Sequence, residues 1–316
     1  TAITYLLDAI RSGARIVAPF SVRRLLQSAG KVSGVEGSAR DSNGTLREVQ
    51  INAKRVVLAA GALESPALLM RSGVGSPHVG RHLYLHPTVA VTGMYASPME
   101  PWVGPPQTVV CDEFSNLAKG YGYRIEAAPA HPGLLAVGVP WSTARQHRRE
   151  MQQVKFAAPF IVLSRDSNTG RVRITRDGEP YFDYRLGGAE KRLLKHGMVT
   201  AARMHFAGKA DRIFTLHSAG LVWDRSRDGG SIEKFCRRIE GASTAPNRLP
   251  LFSAHQMGTC RMGSERSRSV CDPDGAVYGL KGVYVADASL FPASSGVNPM
   301  ITIMALARHV ATKMIR

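Results

Sequence analysis

A chain of 316 residues and 34.2 kDa with 44% hydrophobic and 21% charged residues is long enough to bury a large core, which excludes a peptide hormone, a stapled mini-protein and a disordered tail. No run approaches the roughly 18 apolar residues a membrane helix needs. The formal charge of +17 invites a nucleic-acid reading, but it is spread as +5 over residues 1–100, +7 over 101–210 and +5 over 211–316, with no basic stripe interleaved with aromatics.

The chain opens at Thr1 rather than Met, directly into helical periodicity through Arg11, so either an upstream stretch has been removed or the chain is a fragment. Gly13 stops that helix, and Ala14–Leu26 reads as β-rich. Val32–Arg40 and Thr45–Ala53 flank Asp41-Ser-Asn-Gly44, a hairpin signal. Arg55-Val-Val-Leu-Ala-Ala60 is a buried-type strand; Gly61 turns it into a helix over Leu63–Ser72, with Pro66 suited to a first turn.

From about residue 88 to 250 the character changes. Strands at Phe160–Leu163, Arg171–Ile174 and Tyr181–Tyr184, separated by turns, predict an antiparallel meander, and Ala189–Phe206 predicts a long amphipathic helix. A sheet backed by helices makes a second domain. Gly282-Val-Tyr-Val-Ala-Asp287 is another buried-type strand, and Asn298-Pro299 reads as N-cap and first-turn proline of a helix to about Ile315.

Cys111, Cys236, Cys260 and Cys271 are too few and too irregular for a disulfide framework, which favours a cytoplasmic, reducing setting. Metal binding is not expected: His255, Cys260 and Cys271 lack paired C-x-x-C spacing, and His78, His82 and His86 are broken by Gly80 and Pro87. A hydrolase is disfavoured by the lack of a G-x-S-x-G elbow. A G-x-G-x-x-G turn is also absent, so the chain carries no complete dinucleotide site of its own.

Two stretches carry chemistry. A strand ending in Asp287-Ala288-Ser289 sets a carboxylate and backbone N–H groups at the carboxyl edge of a sheet, where nucleotides dock in open α/β folds. The helix start after Asn298 would offer its positive end to an anionic group such as the edge of a reduced flavin. The same spacing also suits an Asn that only caps a helix and an Asp that only ends a strand. In Ser253-Ala-His-Gln-Met-Gly258, His255 is a candidate general base, one of ten histidines in the chain.

Together these segments resemble the carboxyl-terminal half of the glucose–methanol–choline (GMC) flavoprotein oxidoreductases. The resemblance is carried by Gly61-Ala-Leu-Glu-Ser-Pro through Gly75, by Val79-Gly-Arg-His-Leu-Tyr-Leu-His-Pro87, and by the His255 and Asn298 blocks. Ser253-Ala-His-Gln-Met-Gly-Thr-Cys-Arg-Met-Gly263 and Gly296-Val-Asn-Pro-Met-Ile-Thr-Ile303 look closest to the long-chain fatty alcohol oxidase branch. The resemblance implies a mixed α/β (α+β) fold: an incomplete, Rossmann-like FAD-binding domain from residues 1–87 and 251–316, and an antiparallel-sheet substrate-binding cap from 88–250. It implies FAD as cofactor and oxidation of a primary alcohol, long-chain or aliphatic, to the aldehyde by hydride transfer to flavin N5.

His255 is then the base, and Asn298 hydrogen-bonds the same oxygen. By family position the backbone around Met300 meets the pyrimidine edge, Asp287 and Ala288 the ribityl–pyrophosphate region and Val22 the adenine end, with Gly61 and Pro299 also among the cofactor-binding residues. The partners implied are an alcohol and an electron acceptor, oxygen or another, with no nucleic acid. Apolar residues of the cap, Leu134, Leu135, Val137, Val139, Pro140, Trp141, Phe156, Phe160, Ile161 and Val162, suit a tunnel for an aliphatic chain and equally an ordinary core. The alternative is a truncated, catalytically silent fragment that serves as a binding or assembly module.

Overall fold

The computed structural model describes residues 3–315. The opening pattern folds as α1 (Tyr5–Arg11), which ends where Gly13 takes φ 91°; residues 1 and 2 of the expected helix lie outside the described residues. Strand structure starts at β1 (Phe20–Ser28), later than the β-rich stretch expected from Ala14, since Pro19 has no N–H for a ladder. β1, β2 (Lys31–Arg40) and β3 (Leu46–Asn52) form an antiparallel sheet in that order. The hairpin turn between β2 and β3 closes as expected: Asp41 Oδ1 accepts from the Asn43 and Thr45 N–H groups at 3.0 and 2.9 Å.

β4 (Val56–Leu58) leads into α2 (Gly61–Arg71). That helix starts earlier than the expected Leu63, so Pro66 sits buried in the second turn rather than the first. β5 (Arg81–Leu83), β6 (Thr88–Met94), β7 (Val110–Cys111) and β8 (Tyr123–Ala127) follow, then the short helices α3 (Pro132–Gly138) and α4 (Ala144–Gln152). Next come β9 (Ala157–Ser164), β10 (Gly170–Ile174), β11 (Pro180–Asp183) and α5 (Gly188–Ala207). The chain closes with β12 (Arg212–Thr215), β13 (Val222–Asp224), α6 (Arg225–Asp228), α7 (Glu233–Gly241), β14 (Val283–Val285) and α8 (Met300–Met314).

The expected meander of three strands is split between two sheets. β9 lies inside a six-stranded sheet of order β13-β12-β6-β9-β8-β7, whereas β10 and β11 form a hairpin on β5. The reason sits just after β9, where the fully buried Asp166 carboxylate is tied to the backbone at Leu85 and His86 and draws the chain out of the sheet.

Buried side chains gather in two large clusters. One joins the six-stranded sheet to α5 and α7 through Val89, Val91, Tyr123, Val162, Leu194, Met198, Trp223 and Ile239. The other joins Leu25, Leu58, Leu69, Val283, Val285 and Val310 around the parallel pair β4 and β14. Both strands of that pair end at the same edge, with Val285 opposite Leu58.

Candidate active site

At that edge the sequence places Gly61 three residues after the end of β4 and Asp287 two residues after the end of β14, and the structure brings them together. Ala286 N–H donates to Leu58 O at 2.8 Å, continuing the ladder by one step. Asp287 Oδ2 then accepts from Gly61 N–H at 2.9 Å and Ser65 Oγ at 2.5 Å, while Oδ1 accepts from Ser289 N–H at 2.8 Å and Ser289 Oγ at 2.5 Å. The carboxylate is buried and clamps the start of α2 against the turn after β14. Ala288 O accepts from Gly258 N–H at 3.1 Å, which fastens the segment carrying His255 to the same junction. Val22, by contrast, lies on β1, packed on the flank of the core and outside this hydrogen-bonded junction.

His255 owes its position to a short antiparallel pairing. Tyr84 and Met257 exchange both backbone bonds at 3.0 Å, and Thr88 and Phe252 do the same at 3.0 and 2.9 Å, so residues 84–88 run beside 252–257. Between these two bridges His86 and His255 face each other, with Nδ1 to Nδ1 at 3.1 Å and their rings edge to face. His86 is fully buried, and burial drives its pKa down to about 3. His255 is half-buried and also has its pKa lowered by burial, so both rings are neutral at physiological pH.

Asp166 is the hub beneath them. Its oxygens accept from Leu85 N–H (2.8 Å), His86 N–H (3.3 Å), Tyr184 Oη (3.1 Å) and Ser294 Oγ (2.7 Å). Burial raises its pKa, and the hydrogen bonds from Leu85, Ser294 and Tyr184 oppose that rise. Ser294 opens the loop that leads to Asn298. Arg165 Nε donates to Ser294 O at 3.0 Å, Arg124 donates to Gly296 O, and Gly296 N–H donates to His86 Nε2 at 2.9 Å.

Asn298 departs from expectation. The N-cap of α8 is Pro299, no side chain caps the helix, and the Asn298 amide instead donates to Glu126 Oε2 at 3.3 Å and Gln107 Oε1 at 3.4 Å. A partner on the neighbouring sheet outcompetes the local cap because Glu126 is a buried carboxylate that needs donors; Gln107 Nε2 supplies another at 2.9 Å. Pro299 is buried, and Met300 faces outward. His255 and Asn298 are therefore linked through His86 and Gly296 rather than by direct contact.

Sequence reasoning did not single out His86, Asp166 or Glu126 for these roles. The visible signals were the place of His86 in the Val79–Pro87 block and a carboxylate, Glu126, set between Ile125 and Ala127, where an unpaired buried charge would be costly. A cavity of about 1120 Å³ opens along Val137, Val139, Pro140, Trp141, Leu216 and Leu251. Part of the apolar cap set thus lines open space, while Val162 is in the core and Phe160 stacks on His205 with ring centroids 4.2 Å apart. The cavity wall includes neither His255 nor Asn298.

Two family models, both described as GMC oxidoreductase, match residues 1–88 and 166–307. A long-chain-alcohol oxidase of Arabidopsis thaliana is 32% identical over 275 residues, covering 82% of this chain and 37% of that protein. An uncharacterized GMC-type oxidoreductase of Mycobacterium tuberculosis is 33% identical over 305 residues, covering 96% of this chain and 46% of that protein. The chain thus spans less than half the length of these relatives. Among solved structures, pyridoxine 4-oxidase from Mesorbium loti superposes with a TM-score of 0.67 at 21% identity, covering 99% of this chain and 60% of that one. A formate oxidase of Aspergillus oryzae, studied for modification of its FAD, gives 0.64 at 18% identity, covering 95% and 60%. These likenesses establish the mixed α/β fold of GMC flavoproteins.

FAD is the cofactor of this family. The residues present suit the ring end of that group: α8 starts without a side-chain cap, so its first N–H groups have no capping side chain and carry the positive end of the helix dipole, and Met300 and Ile301 at that end are exposed. They do not supply the pyrophosphate end, for which this chain holds no glycine-rich turn.

Proposed function

This chain belongs to the GMC oxidoreductase family, and on that premise we propose that it is the part of an FAD-dependent enzyme that positions a primary alcohol for oxidation to the aldehyde. In this reading residues 1–87 and 251–316 serve the flavin and 88–250 the substrate. A long-chain aliphatic alcohol is the substrate class favoured by similarity to the Arabidopsis thaliana oxidases.

The observation that carries the reading is the setting of His255. Its Nδ1 is held by a buried neighbour, its Nε2 bonds no other described residue, and burial keeps the ring neutral. Bound FAD supplies the hydride acceptor. His255 meets the hydroxyl oxygen through Nε2 and, once that nitrogen is free of its own proton, takes up the hydroxyl proton as general base. Asn298 supplies a second hydrogen bond by releasing one of its long contacts to Glu126 or Gln107. Gly61, Asp287, Ala288, Pro299 and Met300 form the near wall of the flavin site, with Val22 toward its adenine end.

The test is the visible spectrum of the chain with added FAD, before and after anaerobic addition of a long-chain primary alcohol. Flavin bands that bleach with alcohol are expected, slowed by roughly 10² to 10⁴ in His255→Ala. The missing pyrophosphate turn favours one second reading, a silent module. If flavin binds only once an upstream glycine-rich segment is restored, and bleaching then follows, the enzyme reading stands; binding without bleaching by any alcohol establishes the module.

A further inference from the structure

The hydrogen bonds around His86 determine which nitrogen of His255 carries its proton. His86 Nε2 receives the Gly296 N–H at 2.9 Å, and a backbone N–H can only donate, so that nitrogen must offer a lone pair. His86 is neutral because it is fully buried and its pKa lies at about 3. A neutral imidazole that accepts at Nε2 carries its proton on Nδ1. That Nδ1–H points at His255 Nδ1, 3.1 Å away, and two donors cannot share this contact. His255 Nδ1 therefore accepts, and the proton of neutral His255 resides on Nε2.

We infer that His86, anchored by Gly296, is a positioning residue that fixes His255 in the Nε2–H tautomer, so that the resting ring presents a hydrogen-bond donor to the site. The inference rests on the proposed function only in placing a substrate oxygen at that nitrogen. It adds a condition to proton uptake there. With Nε2 already protonated, the one lone pair of His255 is the one committed to His86, so His255 becomes a base at Nε2 only after His86 and Gly296 part. Until then it holds the alcohol as a hydrogen-bond donor through Nε2.

The surrounding structure guards this arrangement. His86 sits at φ 48°, its N–H is fixed by Asp166, and Gly296 O is held by Arg124. Gly296 itself is at φ 69° with the Arg165 side chain packed where a Cβ would stand, 2.7 Å from its Cδ. The charged or titratable groups facing the pair are Asp166, bound to the His86 backbone, and Arg165 and Arg124, whose positive charges oppose protonation of His86.

The test is ¹⁵N NMR of the histidine rings in the full 316-residue chain, with His255→Gln used to assign the His255 signals. The expected wild-type pattern is a protonated, pyrrole-type Nε2 and an unprotonated, pyridine-type Nδ1 at His255, with the reverse at His86. His86→Asn tolerates the left-handed backbone and keeps an N–H near the Nδ1 position, so the His255 pattern should persist. His86→Ala removes the donor, and the two His255 signals should move toward each other as the tautomers exchange. A wild-type His255 protonated at Nδ1, or a pattern unmoved by His86→Ala, overturns the inference. Neither reading depends on flavin or alcohol, so an inactive chain would leave this result standing.

Discussion

Each oxygen of Asp287 accepts two hydrogen bonds in a buried position, and this makes the residue a clamp between α2 and the turn after β14 as well as a candidate flavin neighbour. Asp287→Asn would replace one acceptor oxygen by an NH₂ group. Ser65 and Ser289 hydroxyls can rotate to accept from it, but the Gly61 or Ser289 backbone N–H cannot. One buried donor is left without a partner, at a cost of about 1–3 kcal/mol. Ser65→Ala deletes one of the four donors to Asp287 and also the hydroxyl that accepts from Ala60 N–H at 3.1 Å; Ala60 is exposed and water can replace that partner, so about 1 kcal/mol is expected. Urea denaturation of the two variants separates these cases, and equal midpoints for Asp287→Asn and wild type would mean that the carboxylate is no clamp.

At the scale of elements, α5 shows how packing overrides propensity. Gly197 lies in the middle of that helix, where glycine costs about 1 kcal/mol relative to alanine. A Cβ there would stand 2.3 Å from Val162 Cγ1 and 3.2 Å from the Tyr123 ring. Val162 is fully buried on β9 and stiff at χ1, so it cannot step aside cheaply. Gly197→Ala should therefore lose stability by about 1–2 kcal/mol despite the better helix former. Gly241→Ala at the end of α7, where the added carbon meets nothing within 4 Å, should be neutral or gain up to about 1 kcal/mol. Thermal unfolding of the pair checks the contrast; a stabilised Gly197→Ala would show that the helix can shift off the sheet.

The same scale explains what could be read beforehand. The β2–β3 hairpin, α2, α5 and α8 were legible because a turn or a 3.6-residue period is written locally, although the Asn298 cap expected for α8 is not made. The partners of β10 were not, because its place beside β5 follows from the Asp166 anchor and from contacts with residues more than 80 positions earlier. His255 was legible as a histidine beside a glycine turn, and Asp287 as a strand-end carboxylate. The Asn298 contacts were not, since they depend on Glu126, a residue of a different sheet. Local pattern named the chemistry-bearing residues, and long-range hydrogen bonds decided what each of them does.

For the molecule as a whole, charge and apolar exposure oppose each other. A net charge of +17 repels like copies at low ionic strength. Yet α8 turns Met300, Ile301 and Met304 outward, 66%, 69% and 43% exposed, and β4 leaves Val57 41% exposed on a ribbon of only two parallel strands. Parallel strands are ordinarily covered on both faces, so Val57 adds exposed apolar area to that of α8. Salt weakens the repulsion, because the Debye length falls from about 30 Å at 0.01 M to about 3 Å at 1 M, while apolar contact is not screened. Sedimentation velocity should therefore find slower, smaller species in about 0.01 M salt and faster, associated ones in about 1 M. Ile301→Glu with Met304→Lys leaves the net charge unchanged and sets opposite charges one turn apart on α8, while removing the apolar face. That double variant should stay small at both salt concentrations; if it associates as the wild type does, the contact lies elsewhere on the surface and α8 is not its seat.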